Sequence, residues 1–341
     1  MEVAIIGGGN FGTAIANIAA GNGYPTHLWM RDAEQVADCL KHRENRRYLP
    51  GHRLHDNVLP TGDLAEALDD STVIFMSVPS ASFRAVSEQV AAHSDADDIV
   101  ISATKGIERR PDGSGFRLMS EILREVVPAR RIGVLSGPNL AEEIADGQYT
   151  GTVVASIDDA VCEMVREVLK SETFRVYDNQ DVYGVELAGA LKNIYAIVCG
   201  IAAGLGVGQN TLGMLITRSL AEMSRFAVSQ GANPFTFLGL AGVGDLLVTC
   251  TSPLSRNHQL GKLVAQGVTL DEAQQRLGKL AEGVNTLRVV CEQADRLEVY
   301  MPLAAGLHRL LFDGDDLTAV VTELMTGGQP VDVAFAQPDA P

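Results

Sequence analysis

Cysteine is scarce in this sequence and never stands in a pattern that pairs or binds metal. The five cysteines are odd in number, and none belongs to a Cys-x-x-Cys motif. This excludes a disulfide framework and a structural zinc site, and it indicates free thiols in a reducing cytosol. The seven histidines include no pair four residues apart. We therefore predict no metal site.

The sequence also lacks a secretion signal and a long hydrophobic run. Met1-Glu2 leads directly into an apolar run at residues 3–6, with no basic segment before it. The longest apolar stretch, at residues 196–207, is too short and too rich in glycine to span a bilayer. We therefore expect a cytoplasmic protein with no stable membrane insertion.

Positive charge is scarce as well. The chain has 27 basic and 43 acidic residues, for a formal net charge of −16. Nucleic acid is excluded as a partner, because phosphate contacts need clustered cations. A chain that otherwise uses arginine keeps lysine by chance or where a titratable ammonium is needed. Its lysines are Lys41, Lys105, Lys170, Lys192, Lys262 and Lys279.

The first half of the chain alternates short β-branched runs with amphipathic segments. The runs are apolar without polar alternation, which is typical of parallel strands covered on both faces. We predict strands at residues 2–6, 26–30, 73–78, 99–104, 132–135, 152–155 and 174–177. Helical patterns lie between them, at residues 12–22, 33–42, 82–93, 116–126, 140–146 and 158–170. This alternation predicts a doubly wound, Rossmann-type α/β domain over residues 1–180.

From about residue 181 the pattern is helical throughout. Helices are predicted at residues 185–203, 212–230, 234–250, 258–266, 270–277, 283–298 and 303–312. The second domain is therefore predicted to be all-α, over residues 181–326. The tail at residues 327–341 is rich in proline, glycine and alanine and is expected to carry no core.

A glycine-rich motif, GGGNFG at residues 7–12, follows the first predicted strand and opens a helix. Such a pattern alone is common in turns, but within a βαβ unit it indicates dinucleotide binding. Gly7 permits the tight turn, Gly9 lets the backbone approach a pyrophosphate, and Gly12 lets helix and strand pack closely. The helix N-terminus offers N–H groups to the phosphates. The alternative is an ordinary structural turn.

The end of the second predicted strand bears on which nicotinamide cofactor binds. An acidic residue there suits the ribose 2′-hydroxyl of NAD, and an arginine suits the 2′-phosphate of NADP. This chain has both, Arg31 and Asp32. Asp32 has an equally good alternative as the N-cap of the next helix. Arg31 favours NADP, with NAD tolerated.

Two lysines lie where a catalytic ammonium is expected. Lys105 follows an apolar strand at the sheet edge where α/β proteins bind ligands, and its alternative is an exposed loop lysine. Lys192 lies in a helix that is apolar over most of its surface, so it either reaches water or points at a polar group. Desolvation would lower its pKa and suit it to protonate a ketone oxygen during hydride transfer.

Other polar residues accompany these lysines. Asp245 is a carboxylate among glycines and apolar residues, suited to bind an ammonium or a substrate hydroxyl, or to cap a helix. Ser255-Arg256-Asn257 stands at a predicted helix start and combines a hydroxyl, a guanidinium and an amide, which predicts a phosphate grip. Glu282 is suited to bind cofactor hydroxyls or to lie at the surface.

Together these motifs resemble the bacterial NAD(P)-dependent glycerol-3-phosphate dehydrogenases, from Val3 to about Thr326. Ordered motifs that extend over nearly the whole chain discriminate far better than one glycine turn. They stand at residues 7–13, 103–106, 136–144 (SGPNLAEEI), 190–205 (ALKNIYAIVCGIAAGL), 216–223 (ITRSLAEM), 242–250 (GVGDLLVTC), 255–257 and 281–283.

The resemblance implies reduction of dihydroxyacetone phosphate to sn-glycerol 3-phosphate, the backbone of glycerophospholipids. It implies NADP or NAD as cofactor, a small phosphorylated triose as substrate, and allows a homodimer. Lys192 matches the proton donor, and Lys105 and Asp245 accompany it. Substrate-binding positions are matched by Lys105, Gly137, Asn139, Lys192, Asn193, Asp245, Ser255, Arg256 and Asn257. Cofactor-binding positions are matched by Asn10, Phe11, Arg31, Tyr48, Lys105, Ala141, Arg256, Leu280 and Glu282.

Two other functions fit parts of the pattern. A β-hydroxyacid or 6-phosphogluconate-type dehydrogenase also joins a nucleotide domain to a helical one around a lysine. The Ser255-Arg256-Asn257 group and the shorter helical half favour the triose phosphate instead. A non-enzymatic redox sensor would bind the cofactor but would need no proton donor, so Lys105 and Lys192 favour an enzyme.

Overall fold

The computed structural model describes residues 1–278 and 281–327, and the chain divides into two compact units. The sheet unit comprises Met1–Asp112 and Phe116–Glu186, and the helical unit comprises Gly113–Gly115 and the chain from Leu187 onward. In the helical unit the described residues form helices and connecting loops, with no strand among them. The predicted class, a Rossmann-type α/β domain followed by an all-α domain, is confirmed.

An eight-stranded sheet and a two-stranded hairpin make up the β-structure of the sheet unit. The strands are β1 (Glu2–Ile6), β2 (Thr26–Trp29), β3 (Val58–Thr61), β4 (Ser71–Met76), β5 (Ile99–Ser102), β6 (Ile107–Arg109), β7 (Phe116–Leu118), β8 (Arg131–Ser136), β9 (Thr150–Ala155) and β10 (Phe174–Asn179). The hairpin is β6-β7, and the sheet order is β10-β9-β8-β5-β4-β1-β2-β3. The chain changes direction across the sheet at β1, so the end of β1 lies at the switch point where such sheets bind ligands.

The sheet is mixed, which corrects the expectation of uniformly parallel strands. β3, β2, β1, β4, β5 and β8 pair in parallel, whereas β9 runs antiparallel to β8 and parallel to β10. A strand that is buried on both faces is apolar whether it runs parallel or antiparallel to its neighbours. Its composition therefore does not predict its direction. The strands β3, β6 and β7 were missed, since they are short and contain Pro60, Glu108 or Arg117.

Helices cover both faces of the sheet and create two separate cores. The helices are α1 (Asn10–Gly21), α2 (Ala33–His42), α3 (Leu64–Leu68), α4 (Ser80–Ala91), α5 (Met119–Val126), α6 (Ala141–Ala145) and α7 (Asp159–Leu169). Ile5 and Phe75 pack with α1 and α7 in one core, and Ile6 and Ile74 pack with α4 and α5 in the other. Alternate residues of one strand therefore serve opposite cores.

The helical unit contains one helix shared with the sheet unit and a series of shorter ones. They are α8 (Val182–Gly204), α9 (Gln209–Ser229), α10 (Asp245–Thr251), α11 (Arg256–Ala265), α12 (Leu270–Leu277), α13 (Glu282–Arg296), α14 (Pro302–His308) and α15 (Leu317–Thr326), with a 3₁₀ turn at Pro234–Leu238 and π turns at Leu240–Gly244 and Arg309–Asp313. The single helix predicted at residues 234–250 is wrong. Gly239 is extended there, and a Cβ at Gly242 would overlap the Phe237 carbonyl oxygen. The predictions also missed α15.

The helix α8 is longer than the apolar stretch noted in the sequence. With 23 residues and a mean hydropathy of 1.5, it has the length and composition of a membrane-crossing helix. However, 83% of its most apolar window is buried inside the protein. Burial in its own core therefore accounts for its apolar composition.

Two carboxyl groups lie buried at the starts of helices. Glu186 accepts hydrogen bonds from the Ser120 backbone N–H (2.9 Å) and hydroxyl (2.6 Å) in the first turn of α5. Glu222 accepts from the Leu303 and Ala304 N–H groups of α14, at 2.7 and 3.2 Å, and from the Tyr195 hydroxyl at 3.1 Å. Burial raises the pKa of each from 4.5 to about 7, outweighing the donors that favour the charged form.

The pKa of Glu222 predicts a specific pH dependence of stability. Because the folded state holds this proton more tightly, the site stabilises folding fully below pH 4.5, and the contribution is lost as pH rises through about 7. Glu222→Gln stays neutral, so its unfolding free energy should fall less steeply between pH 5 and 7, by up to about 1.4 kcal/mol per pH unit. Urea titrations at pH 5, 6, 7 and 8 measure both slopes. Glu163→Gln, at an exposed position of α7, is the control and should keep the original slope. Equal slopes for Glu222→Gln and the original chain would contradict the assignment.

Candidate functional site

The glycine turn connects β1 to α1, and its glycines meet different constraints. Gly7 has φ +124°, and a Cβ there would overlap the Ser77 carbonyl oxygen. A Cβ at Gly12 would overlap the carbonyl oxygen of Gly7, so α1 packs directly on the turn. A Cβ at Gly9 would meet nothing within 4 Å. The space next to Gly9 is therefore open, whereas Gly7 and Gly12 are packed against the backbone.

The start of α1 borders this open space, and the N–H groups in the first turn of a helix have no partner within the helix. Gly9 is the N-cap and provides no side-chain cap, and Asn10 and Phe11 are the first helical residues. A helix N-terminus of this kind attracts anions through its N–H groups and its dipole. The turn therefore fits a dinucleotide pyrophosphate.

A buried amide supports the glycine turn from behind. Asn45, fully buried, donates to the Gly8 carbonyl oxygen (3.0 Å) and to the Thr13 hydroxyl (2.7 Å). Gln35 donates to the same Gly8 oxygen at 2.6 Å, and Thr13 donates to the Gly9 carbonyl at 2.7 Å. The sequence analysis missed these residues, because nothing near Asn45 in the chain shows that it reaches the turn.

Two arginines and an aspartate lie at or near the end of β2. Asp32 is the N-cap of α2: its Oδ1 accepts from the Glu34 and Gln35 N–H groups, at 2.9 and 3.3 Å. Its Oδ2 accepts from Arg47 Nη1 at 2.6 Å. These bonds, with that to Arg47 the largest cause, lower the pKa of Asp32. Arg31 is exposed and has no ion-pair partner within the described part of the chain.

A second polar group of the sheet unit follows β5 and β8. Lys105 Nζ donates to the Gly137 carbonyl oxygen at 2.9 Å. Asn139 Oδ1 accepts from the Thr152 hydroxyl at 2.9 Å, and Asn139 Nδ2 donates to the Gly151 carbonyl at 3.3 Å. The structure thus brings Lys105 to Gly137, although 31 residues of chain lie between them. Ala141, close by in sequence, is the first residue of α6 and is buried.

In the helical unit, Lys192 of α8 is buried with a carboxylate. Its Nζ lies 2.5 Å from Asp245 Oδ1 and 2.6 Å from Thr249 Oγ1, both on α10. The side chains of Lys192 and Asp245 are only 8% and 2% exposed. Thr249 was missed by the sequence analysis, but it stands one helical turn after Asp245, and that spacing is the signal that could have identified it. Of the two alternatives that the sequence left open for Lys192, reaching water or pointing at a polar group, the structure shows the second.

Next to Lys192, an amide chain joins three helices. Asn257 of α11 donates to Asn193 Oδ1 at 3.0 Å, and its own Oδ1 accepts from the Gly283 N–H at 3.1 Å. Ser255 is the N-cap of α11 and accepts from the His258 N–H. Arg256 is the first residue of α11 and is exposed, whereas Ser255 and Asn257 are buried.

Glycines allow α8, α11 and α13 to approach closely enough for this arrangement. A Cβ at Gly200 would overlap the His258 carbonyl, and one at Gly261 would overlap the Ile197 carbonyl. A Cβ at Gly283 would lie 2.5 Å from the Asn193 carbonyl oxygen. The backbones therefore touch just after Asn257 and at Asn193, and these contacts hold the start of α11 next to Asn193 of α8.

The remaining predicted residues are placed as follows. Tyr48 is half-buried, with the Arg47 guanidinium 5.4 Å from its ring centroid. Glu282 is the first residue of α13. Leu280 lies outside the described residues. Within residues 1–278 and 281–327, no group of three or more His, Cys, Asp or Glu side chains could hold a metal ion.

Comparison with known families covers both units. The family model described as NAD-dependent glycerol-3-phosphate dehydrogenase N-terminus matches residues 2–162, and its C-terminus counterpart matches residues 181–322.

Individual relatives agree with the family models. The chain is 56% identical over 335 residues to glycerol-3-phosphate dehydrogenase [NAD(P)+] of Pseudomonas entomophila, covering 98% of this chain and 96% of that one. It is 56% identical over 331 residues to the protein of the same name from Saccharophagus degradans, covering 97% and 91%. A crystal structure of glycerol-3-phosphate dehydrogenase from Coxiella burnetii is similar with a TM-score of 0.89 and 36% identity, covering 96% and 99%. With this fold, these clusters and this similarity over nearly its whole length, the chain belongs to the NAD-dependent glycerol-3-phosphate dehydrogenase family.

Proposed function

We propose that this protein reduces dihydroxyacetone phosphate to sn-glycerol 3-phosphate with a reduced nicotinamide dinucleotide. The observation that carries the proposal is the buried Lys192–Asp245–Thr249 cluster. Asn193, the next residue after Lys192, accepts a hydrogen bond from Asn257 at the start of α11, where a phosphate could bind. A binding protein without chemistry has no need of a buried ammonium. The product would supply the backbone of glycerophospholipids, in the cytosol.

The reduction of the ketone requires two transfers, a hydride to carbon and a proton to oxygen. The reduced nicotinamide, when bound, supplies hydride to C2 of the ketone. As the carbonyl π electrons move onto oxygen, Lys192 Nζ gives a proton to that oxygen and completes the alcohol. Asp245 and Thr249 hold the Nζ atom in place, and burial removes the water that would compete for it. The Asp245 carboxylate, whose Oδ1 lies 2.5 Å from Nζ, balances the charge of the ammonium before transfer.

The substrate phosphate would be held at the start of α11. The N–H groups of the first turn, the Arg256 guanidinium and the Asn257 amide suit a dianionic phosphate. Asn257 is already oriented by Asn193 and Gly283, so it would need no reorganisation. Asn193, Gly137 and Asn139 complete the proposed substrate contacts.

The cofactor would be held mainly by the sheet unit. Gly7, Gly9, Asn10, Phe11 and Gly12 would form the pyrophosphate cradle, and Arg31 would meet a 2′-phosphate, which favours NADPH. Lys105 would contact both cofactor and substrate. Tyr48, Ala141, Arg256, Leu280 and Glu282 are further proposed cofactor contacts, by the family resemblance. A homodimer is the proposed assembly.

Removal of the proposed proton donor should affect turnover and not cofactor binding. Lys192→Ala should lower kcat by roughly 100-fold or more, the usual contribution of a positioned acid. Stopped-flow absorbance with dihydroxyacetone phosphate gives kcat, and fluorescence titration gives the NADPH affinity. Lys262→Ala, at an exposed position of α11, is the control and should keep both values. A near-normal kcat for Lys192→Ala would reduce Lys192 to a packing residue.

Arg256 should be needed for substrate binding, because its guanidinium can donate two parallel hydrogen bonds to the phosphate. Arg256→Lys should raise the KM for dihydroxyacetone phosphate by roughly 10-fold, because a point charge cannot make the bidentate contact. Steady-state kinetics measure it, with exposed Arg276→Lys of α12 as the matched control. Unphosphorylated dihydroxyacetone should be a poor substrate for the unaltered protein. If it reacts as well as the phosphate ester, the phosphate site is wrongly assigned.

Arg31 should discriminate between the two cofactors. Arg31→Ala should weaken NADPH binding roughly 10- to 100-fold, the range for a lost bond to a charged group, and leave NADH nearly unchanged. The difference should shrink at higher salt, since an exposed charge is screened. Dissociation constants for both cofactors at two salt concentrations test this. An equal change for the two would contradict the NADPH preference.

A further inference from the structure

We propose that Arg47 determines cofactor preference by neutralising Asp32, so that a 2′-phosphate can lie beside Arg31. This inference rests on the proposed function only in that a nicotinamide dinucleotide binds at the glycine turn. It adds a residue that neither the glycine motif nor the family resemblance identifies.

Asp32 occupies the position where a carboxylate usually selects NAD. A carboxylate at the end of β2 accepts hydrogen bonds from the ribose 2′-hydroxyl, and it repels a 2′-phosphate. Here each oxygen of Asp32 already has a partner. Oδ1 accepts from two N–H groups of α2, and Oδ2 accepts from Arg47 at 2.6 Å. Asp32 is thus occupied as a helix cap and as an ion-pair partner.

The local charge follows from that pairing. Asp32 and Arg47 neutralise each other, so Asp32 does not offset the positive charge of Arg31, its neighbour in the chain. The carboxylate of Glu34, in the first turn of α2, also interacts with Arg47. Without Arg47, the charges of Arg31 and Asp32 would cancel, and Oδ2 would become free to accept from a ribose hydroxyl. One substitution therefore changes both the field that a phosphate meets and the acceptor that a hydroxyl meets.

The chain holds Arg47 in this position through the glycine turn. Asn45, which donates to the Gly8 carbonyl and the Thr13 hydroxyl, also accepts at its backbone oxygen from the Tyr48 and Leu49 N–H groups, at 3.2 and 2.8 Å. This turn carries Arg47, whose guanidinium also lies over the Tyr48 ring, 5.4 Å from its centroid. The segment that bears Arg47 is therefore attached to the same turn that would hold the pyrophosphate.

The neighbouring residue offers a matched control. Arg46 stands in the same turn and is similarly exposed, 51% against 56% for Arg47, but it pairs with Asp38 of α2. Loss of Arg46 removes the same charge from the same segment and leaves Asp32 paired. A difference between the two substitutions would therefore report on Asp32 and not on net charge.

The test measures dissociation constants of NADPH and NADH by fluorescence titration, without substrate. Arg47→Ala should raise the NADPH dissociation constant about 10-fold and leave or lower that of NADH, since it breaks the bond to Asp32 and leaves an unpaired carboxylate near the 2′-phosphate. Arg46→Ala should keep the original ratio of the two constants. Arg47→Lys should keep most of it, because an ammonium also neutralises Asp32.

A double-mutant cycle tests the route through Asp32. Asp32→Asn keeps a good N-cap and loses the charge, so Arg47→Ala in that background should change NADPH binding less than about 2-fold. Two results would overturn the proposal: an unchanged cofactor ratio in Arg47→Ala, or the same loss in both backgrounds, which would make Arg47 a direct phosphate contact.

Failure of the proposed function would look different. A protein that binds both dinucleotides but reduces no triose phosphate would refute the function and leave the role of Arg47 standing. A protein that binds neither dinucleotide would overturn both. Unfolding midpoints of the exposed-site variants, expected to match the original chain, exclude a general loss of structure.

Discussion

The helical unit is organised around an ion pair that would be unstable if either partner were alone. Lys192 and Asp245 lie 2.5 Å apart and are almost entirely buried. Removing two charges from water is costly, and the cost is offset only by close geometry and further hydrogen bonds. Thr249 supplies such a bond, and its own hydroxyl also donates to the Asp245 carbonyl at 2.6 Å. The proposed proton transfer from Lys192 would explain why the chain retains this arrangement where apolar residues would pack at least as stably.

Contact between backbones places the other functional groups around that pair. Gly200, Gly261 and Gly283 each lie against a carbonyl of a neighbouring segment and leave no room for a side chain. The consequence is that Asn257 reaches both Asn193 and the Gly283 N–H. Gly7 and Gly12 apply the same constraint in the sheet unit, where α1 rests directly on the turn after β1. In both units the polar groups are oriented before any ligand arrives, and this lowers the reorganisation that binding requires.

Charge at the end of β2 depends on a tertiary contact rather than on local sequence. Arg31 and Asp32 are adjacent in the chain and favour opposite cofactors. In the role we propose for Arg47, its bond to Asp32 Oδ2 occupies the oxygen that a ribose hydroxyl would use and so decides between the two cofactors. Asn45, buried beneath the glycine turn, holds the segment that carries Arg47. Under the same proposal, Asn45 would contribute to cofactor specificity as well as to structural support.

The sequence by itself determined the class of fold, the glycine turn and the family, because short-range periodicity and ordered motifs carry that information. It also singled out Lys192, Asp245 and Ser255-Arg256-Asn257, since polar groups in apolar or helix-start settings are unusual. Tertiary structure alone decided the antiparallel direction of β9, because burial on both faces makes all strands apolar. It also decided that Thr249 bonds Lys192, that Asn45 supports the glycine turn and that Arg47 pairs with Asp32. Each of these contacts joins residues that are distant in the sequence and come together only on folding, so no local sequence pattern predicts them.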